Sequence, residues 1–148
     1  SAPEALTRLR SMGIASFNLT SSVSLIIAQR LARRLCSHCK VPQHDPQAAF
    51  LELGFEAADF PDPTTPYEAR NQGCKHCHQG YRGRVGLYEV VPITPRLQTL
   101  ILEDGNALAL AEAALAEGFL NLRQAGALKA KAGVTSLLEV NRVTGASG

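Results

Sequence analysis

Four cysteines carry the most specific chemical signal in this sequence of 148 residues. They form two pairs of the type Cys-x-x-Cys, Cys36-Ser37-His38-Cys39 and Cys74-Lys75-His76-Cys77. Zn²⁺ takes four tetrahedral ligands, and a closed set of four cysteine thiolates is typical of its structural sites. Two such pairs in a chain without a secretory signal favour a metal site over disulfides. The spacing therefore predicts a structural Zn²⁺ site. Its predicted ligands are Cys36, Cys39, Cys74 and Cys77.

Two other interpretations of these residues stay open at this stage. The cysteines could be two independent redox pairs or buried thiols, although a thioredoxin-like pair needs a βαβ context that the sequence does not show. His38, His76 and His78 lie beside the pairs and could replace a cysteine ligand, whereas we favour solvent-facing positions for them. His44 is expected to be an ordinary loop residue.

The two pairs need elements that bring them together across the 34 residues between them. Residues 29–35, before the first pair, fit a strand or a helix by periodicity alone, whereas residues 84–91 are rich in β-branched and aromatic side chains and favour a strand. If these segments pair as antiparallel strands, their ends meet where the cysteines lie. A metal would then close the base of the inserted segment, which is long for a loop in a compact domain.

Capping residues and prolines predict helices on both sides of this strand pair. The first helix is expected to begin at Pro3 and a second to cover residues 16–28, and the insertion has a short helix over residues 47–53. Four further helices are predicted in the last third, with the caps Thr94, Asn106, Asn121 and Ser136. The expected fold is α+β and mainly α-helical. Its segments are a helical stretch and first strand over 1–35, the zinc-binding insertion over 36–83, and a second strand with C-terminal helices over 84–148.

Composition and missing motifs exclude several classes of function. Fifteen basic against thirteen acidic residues give a charge of +2, and the hydrophobic share of 45% is too high for a disordered chain. No apolar run is long enough for membrane insertion. The sequence has no phosphate loop, no dinucleotide fingerprint and no HExxH, so we expect no enzyme activity from this chain alone. The basic cluster Arg30, Arg33 and Arg34 fits an anion-binding or intersubunit surface, or an ordinary solvated face.

Longer stretches resemble the C-terminal region of the type IV pilus assembly ATPases and of the related type II secretion ATPases. They are SVSLIIAQRLARRLC (22–36), GCKHC (73–77), GYRGRVGLYE (80–89) and VTSLLEV (134–140), and the opening residues 2–9 and 12–14 are also similar. In that family a four-cysteine insertion lies between the first and third of these stretches. The resemblance covers nearly the whole chain.

The resemblance implies the C-terminal portion of a RecA-like ATPase domain, with an antiparallel strand pair carrying the four-cysteine insertion. The family's Walker A loop, aspartate box, Walker B motif and histidine box are absent here, so ATP and Mg²⁺ would belong only to a full-length parent. Ser1 in place of an initiator Met, and the small polar tail, fit a fragment of such a parent. The implied function is that of a zinc-binding fragment of a hexameric motor that powers type IV pilus extension. The sequence of residues 29–36 resembles the pilus branch more than the type II secretion branch.

The implied partners are neighbouring subunits of the hexamer and an inner-membrane platform protein. The implied location is the cytoplasm, peripheral to the bacterial inner membrane. Two alternatives are a stand-alone zinc-ribbon nucleic-acid-binding domain and a module that binds a regulator. Because aromatic residues make up only 5% and the net charge is small, no nucleic-acid partner is expected.

Overall fold

A computed structural model of the chain describes residues 1–55 and 66–145. Pro61 and Pro63 of the insertion and the small polar tail 146–148 lie outside these ranges. Within them the chain is α+β, as predicted, with seven helices and two two-stranded sheets. The elements in chain order are α1 (Ala2–Ser11), α2 (Ser16–Ser22), β1 (Leu25–Leu35), β2 (Val41–Pro42), α3 (Pro46–Leu53), β3 (Tyr67–Glu68), β4 (Tyr81–Pro92), α4 (Pro95–Leu102), α5 (Ala107–Ala116), α6 (Leu122–Lys131) and α7 (Leu137–Thr144).

The chain divides into two compact units, each with its own core. The first unit comprises residues 1–29 and 88–122. Apolar side chains from α1, α2, α4, α5 and the end of β4 pack together in it, with Leu6, Leu19, Leu97 and Leu110 almost fully buried. Burial of a leucine side chain contributes about 1.5–3 kcal/mol, so this cluster holds the four short helices together.

The second unit comprises residues 30–87 and 123–148, and it contains the insertion. Phe50 of α3 and Phe55 just after it pack with Leu137 and Val140 of α7 and with alanines of α6. The short strands β2 and β3 pair antiparallel, with Val41 opposite Glu68. The insertion therefore shares an apolar core with the C-terminal helices, a contribution that the sequence analysis did not anticipate.

The strands β1 and β4 pair with each other, as predicted, and form what we call the ribbon. The N–H of Cys36 donates to the carbonyl of Gly80 at one end (2.8 Å), and the N–H of Ile93 donates to the carbonyl of Ser24 at the other (2.9 Å). The end of β1 thus lies beside the start of β4, and the start of β1 lies beside the end of β4, which is the antiparallel arrangement. The insertion-side ends of the two strands consequently meet beside Cys36.

One helix prediction is wrong in its extent. The second helix was expected to continue to residue 28, but α2 ends at Ser22 and β1 begins at Leu25. Val23, Ile26 and Ile27 are β-branched, and such side chains are stiff in helices and fit well on a pleated surface. Pairing with β4, more than sixty positions away in the sequence, decides the conformation here, and the periodicity of residues 16–28 carries no information about that pairing.

Within the described ranges, no helix is both long and apolar enough to cross a membrane.

Candidate metal centre

The first cysteine pair lies at the end of the ribbon. Cys36 directly follows β1, and its N–H donates to the carbonyl of Gly80, which directly precedes β4. The N–H of Lys40 then donates to the carbonyl of Cys36 (3.0 Å), which closes the turn around Cys39. Both cysteines are buried. Pairing of β1 with β4 thus places the first cysteine pair beside Gly80. The second cysteine pair lies just before Gly80 in the sequence and is brought to the same end of the ribbon.

The second cysteine pair depends on a close approach of two backbone segments at Gly80. This glycine has φ +92°, and a Cβ built on it would lie 2.6 Å from the Cβ of Ala69 and 2.8 Å from the carbonyl oxygen of Arg70. Any larger residue would therefore push the segment around Arg70 away. Since Cys77 lies three residues before Gly80, a larger residue at position 80 would also disturb the turn of the second pair.

The four sulfur atoms form one compact group, with every pair of them within 4.8 Å. The Sγ atoms of Cys36 and Cys74 are 3.7 Å apart, and so are those of Cys39 and Cys77 and those of Cys74 and Cys77. Four sulfurs at about 2.3 Å from one Zn²⁺ would be about 3.8 Å from one another in a regular tetrahedron. All four cysteines are free of disulfide bonds. The arrangement of the donor atoms fits a tetrahedral thiolate site.

Backbone N–H groups point at the sulfurs of the second pair. The N–H of Cys74 donates to the Sγ of Cys77 (3.2 Å), and the N–H of His76 donates to the Sγ of Cys74 (3.4 Å). Such bonds favour the charged form of a sulfur atom, because the donor dipole stabilises the negative charge. The turn geometry of Cys-x-x-Cys therefore provides part of the electrostatic support that a thiolate cluster needs.

The pKa values of the thiols differ across the cluster. Burial, together with the neighbouring sulfurs, raises the pKa of Cys39 to about 12. Burial also opposes ionisation of Cys77, but hydrogen bonds from the N–H groups of Cys74 and Gly80 outweigh it and lower its pKa to about 7. Four thiolates in this volume would repel one another strongly, and a divalent cation between them removes that repulsion. The four sulfurs therefore suit a divalent cation that prefers thiolate ligands.

The histidines near the pairs take positions outside the sulfur group. Among the described His, Cys, Asp and Glu side chains, the four cysteines are the group that the geometry brings together for a metal. His38 and His76 are exposed and stack on each other, with ring centroids 4.0 Å apart and an angle of 22° between planes. His78 pairs through its backbone with Tyr81, and the N–H of His44 donates to the carboxylate of Glu68.

An ion-pair cluster around the buried Glu139, beside the ribbon, is the feature that sequence reasoning missed. The carboxylate of Glu139 accepts from the backbone N–H of Arg33 (2.7 Å) and from the guanidinium groups of Arg33 and Arg142. The Arg33 guanidinium also lies over the ring of Tyr81, whose hydroxyl is 2.7 Å from the Oγ of Ser136. Arg33 thus belongs to an ion-pair network around Glu139, although its own side chain is partly exposed.

Two backbone-directed hydrogen bonds extend this network along β1. The N–H of Leu35 donates to the carbonyl of Val134, and the hydroxyl of Thr135 donates to the carbonyl of Arg33. The segment before α7 therefore lies against the end of β1 that leads into Cys36. This segment supports the first cysteine pair from that side, although it contributes none of the four sulfurs.

Comparisons with known proteins agree with one another. The family model described as type II/IV secretion system protein matches residues 1–142. The type IV pilus assembly ATPase PilB of Acinetobacter baylyi is 54% identical over 143 residues, which are 97% of this chain and 24% of that protein.

Two further relatives have the same pattern of coverage. PilB of Pseudomonas aeruginosa is 54% identical over 145 residues, 97% of this chain and 25% of that protein. The type II secretion system protein E of the same organism is 41% identical over 145 residues, 97% of this chain and 28% of that protein. The chain therefore spans about a quarter of the length of these curated relatives.

Proposed function

Because the chain belongs to the type II/IV secretion system protein family, we propose that it is the zinc-binding, C-terminal part of a hexameric motor ATPase that powers type IV pilus extension. The names of two relatives support the ATPase and pilus assignments, since both are type IV pilus assembly ATPases PilB and both are 54% identical to the chain. In this proposal the chain contributes part of a RecA-like domain, and ATP and Mg²⁺ bind in the rest of the parent.

The observation that carries the zinc assignment is the group of four sulfurs, all within 4.8 Å of one another at the base of the insertion. Cys36, Cys39, Cys74 and Cys77 would hold the ion. A bound Zn²⁺ supplies a cross-link between the two cysteine pairs and neutralises their thiolates. The protein supplies the ribbon end that fixes Cys36, the close approach at Gly80, and the backbone N–H groups that face the sulfurs.

A role in assembly follows from this placement. The ion would fix the start and end of the insertion relative to the ribbon, so that the insertion presents a constant surface. We propose that this surface contacts a neighbouring subunit or an inner-membrane platform protein, and that the parent works in the cytoplasm at that membrane. Replacing Cys74 and Cys77 by serine in the full-length motor should then impair pilus assembly or hexamer formation. Unchanged assembly and unchanged hexamers would contradict this role.

The zinc assignment is tested first on the chain itself. Elemental analysis should give about one zinc per chain, and a chelator should lower the midpoint of thermal unfolding, because binding energy at such sites is also folding energy. Cys74→Ser should lose both the metal and the chelator effect, whereas Ser37→Ala, in the exposed turn of the first pair, should keep both. Absence of metal together with a transition that a chelator leaves unchanged would reject the site.

The alternative of a zinc-ribbon nucleic-acid binder has weaker support. Arg33, the middle residue of the basic cluster, is engaged by Glu139 and Tyr81. A salt-dependent mobility shift with short DNA or RNA at micromolar protein would favour it.

A further inference from the structure

The exposed imidazoles of His38 and His76 contact each other, and each belongs to one of the two cysteine pairs. Each histidine directly precedes the last cysteine of its pair, so the two pairs present matching side chains. Their rings stack at a centroid distance of 4.0 Å with 22° between the planes. We call this contact the histidine stack. It joins the first cysteine pair to the second on the solvent side of the cluster.

The geometry of the histidine stack argues against a role as a second metal chelate. An imidazole binds a metal through a lone pair that lies in the plane of its ring. In two nearly parallel, stacked rings these lone pairs point along separate planes, so they do not converge on one ion between the rings. The imidazole nitrogens also stand apart from the sulfur group within the described residues. The contact is therefore one of packing.

The second cysteine pair is the accessible half of the cluster. Cys36 and Cys39 are buried, whereas Cys74 and Cys77 are partly exposed. A chelator or a competing protein thiol must reach a sulfur or the ion to remove the metal, and its path leads past the second pair. His76 lies in that turn, and its own N–H donates to the Sγ of Cys74 (3.4 Å). A displacement of His76 therefore moves a donor that faces a ligand sulfur.

We propose that the histidine stack slows the exchange of the metal by holding the second cysteine pair against the first. This inference rests on the proposed zinc site and adds a positioning role for two residues that are not ligands. Opening the second pair requires separation of the two rings. A stacked aromatic pair contributes about 0.5–1.5 kcal/mol, which corresponds to a two- to tenfold effect on the rate of opening.

The test is the rate of zinc release to an excess of 4-(2-pyridylazo)resorcinol, followed by the absorbance of its zinc complex. His38→Ala and His76→Ala should each release zinc about two- to tenfold faster than the unmodified chain. The double variant should be no faster than either single variant, because one ring alone has no stacking partner. His44→Ala, which removes an exposed imidazole outside the stack, should leave the rate unchanged.

A conservative variant distinguishes stacking from coordination. His76→Phe keeps a flat aromatic ring and removes both nitrogens, so it should retain slow release. Release from His76→Phe as fast as from His76→Ala would mean that the nitrogens matter and would overturn the proposal. Unchanged release from both alanine variants would overturn it as well. Elemental analysis before mixing separates these results from a failure of the zinc assignment, because a chain that binds no zinc rejects the site and the exchange role together.

Discussion

At the scale of single residues, Glu139 is a buried carboxylate that lies outside the cysteine cluster and depends on several donors. Its side chain is 1% exposed, yet it accepts hydrogen bonds from two arginines and one backbone N–H. Burial opposes its ionisation, but Arg142 and Arg33 outweigh burial and lower the pKa of Glu139 to about 2. A buried carboxylate that stays charged in this way depends on every one of its partners.

This environment predicts a specific pH dependence of stability. Between the ordinary pKa of 4.5 and about 2, the unfolded chain binds a proton at Glu139 that the folded chain does not bind. The stabilisation is therefore complete above this window and is lost as the pH falls through it, by about 2–3 kcal/mol when the partial exposure of the arginines is allowed for.

The measurement is the free energy of unfolding in urea, compared at each pH between the unmodified chain and Glu139→Gln. The difference should be about 3 kcal/mol at pH 7 and should shrink toward pH 2. The comparison at equal pH cancels any loss of metal from protonated cysteines. Glu112→Gln, an exposed glutamate on α5, is the matched control and should show no such difference. A difference that does not change with pH would contradict the assignment.

The ion-pair role of Glu139 could not be predicted from the sequence, because the residues around Glu139 have the pattern of a helix cap. Ser136 and Glu139 have the spacing of a capping box, and Ser136 does accept from the N–H of Glu139 at the start of α7. The carboxylate, however, binds Arg33, which is 106 positions away. The convergence of the cysteines, by contrast, could be predicted from the repeated Cys-x-x-Cys pattern, and the structure brings all four sulfurs together.

At the scale of elements, local signals predicted most helices. Thr94, Asn106 and Ser136 cap α4, α5 and α7 as expected, since each side chain accepts from the N–H three residues later. The antiparallel pairing of the ribbon is the arrangement under which we expect the two cysteine pairs to meet, and the structure has it. Two features depend on distant partners: the end of α2, where the prediction was wrong because strand pairing decides it, and the packing of α3 on α7, for which the sequence made no prediction.

The packing of α3 predicts that an apolar core holds the insertion even without the proposed metal. Phe50 is 4% exposed in this core, whereas Leu51 on the same helix is 84% exposed. With a chelator present, Phe50→Ala should lower the free energy of unfolding by about 3–5 kcal/mol, because it removes a large buried ring. Leu51→Ala should change it by less than about 0.5 kcal/mol.

The measurement is denaturant unfolding of both variants in a chelator, followed by far-UV circular dichroism. Equal stability of the two variants would mean that the core around Phe50 contributes little, and that a metal alone holds the insertion.

At the scale of the whole molecule, the ribbon leaves one apolar face exposed within the first unit. Leu25 and Ile27 of β1 and Tyr88 and Val90 of β4 are 44–57% exposed, and the side chain of Gln29 donates to the hydroxyl of Tyr88. Alternation along paired strands puts all of these side chains on the same side of the sheet. An exposed apolar face of this kind is typical of surfaces that pack against another protein surface.

The exposed ribbon face predicts self-association of the isolated chain at high concentration. Ile27→Lys should shift the chain toward monomer, because it places a charge in the middle of the apolar face. Leu108→Lys is the matched control, since Leu108 is similarly exposed (67%, against 57% for Ile27) but lies on α5. Sedimentation velocity over a range of concentrations gives the readout. An unmodified chain that stays monomeric, or an equal effect of both variants, would contradict the prediction.

The distance in sequence between the cysteine pairs also matters to the denatured chain. Cys36 and Cys74 are 38 positions apart, and a metal that joins them closes a loop of that length. In the chain-entropy description of cross-links, closing such a loop removes roughly 4 kcal/mol of conformational freedom from the unfolded ensemble. An ion retained at the cysteines during unfolding would therefore leave a smaller set of conformations to search on refolding. It would already join the insertion-side ends of the two ribbon strands.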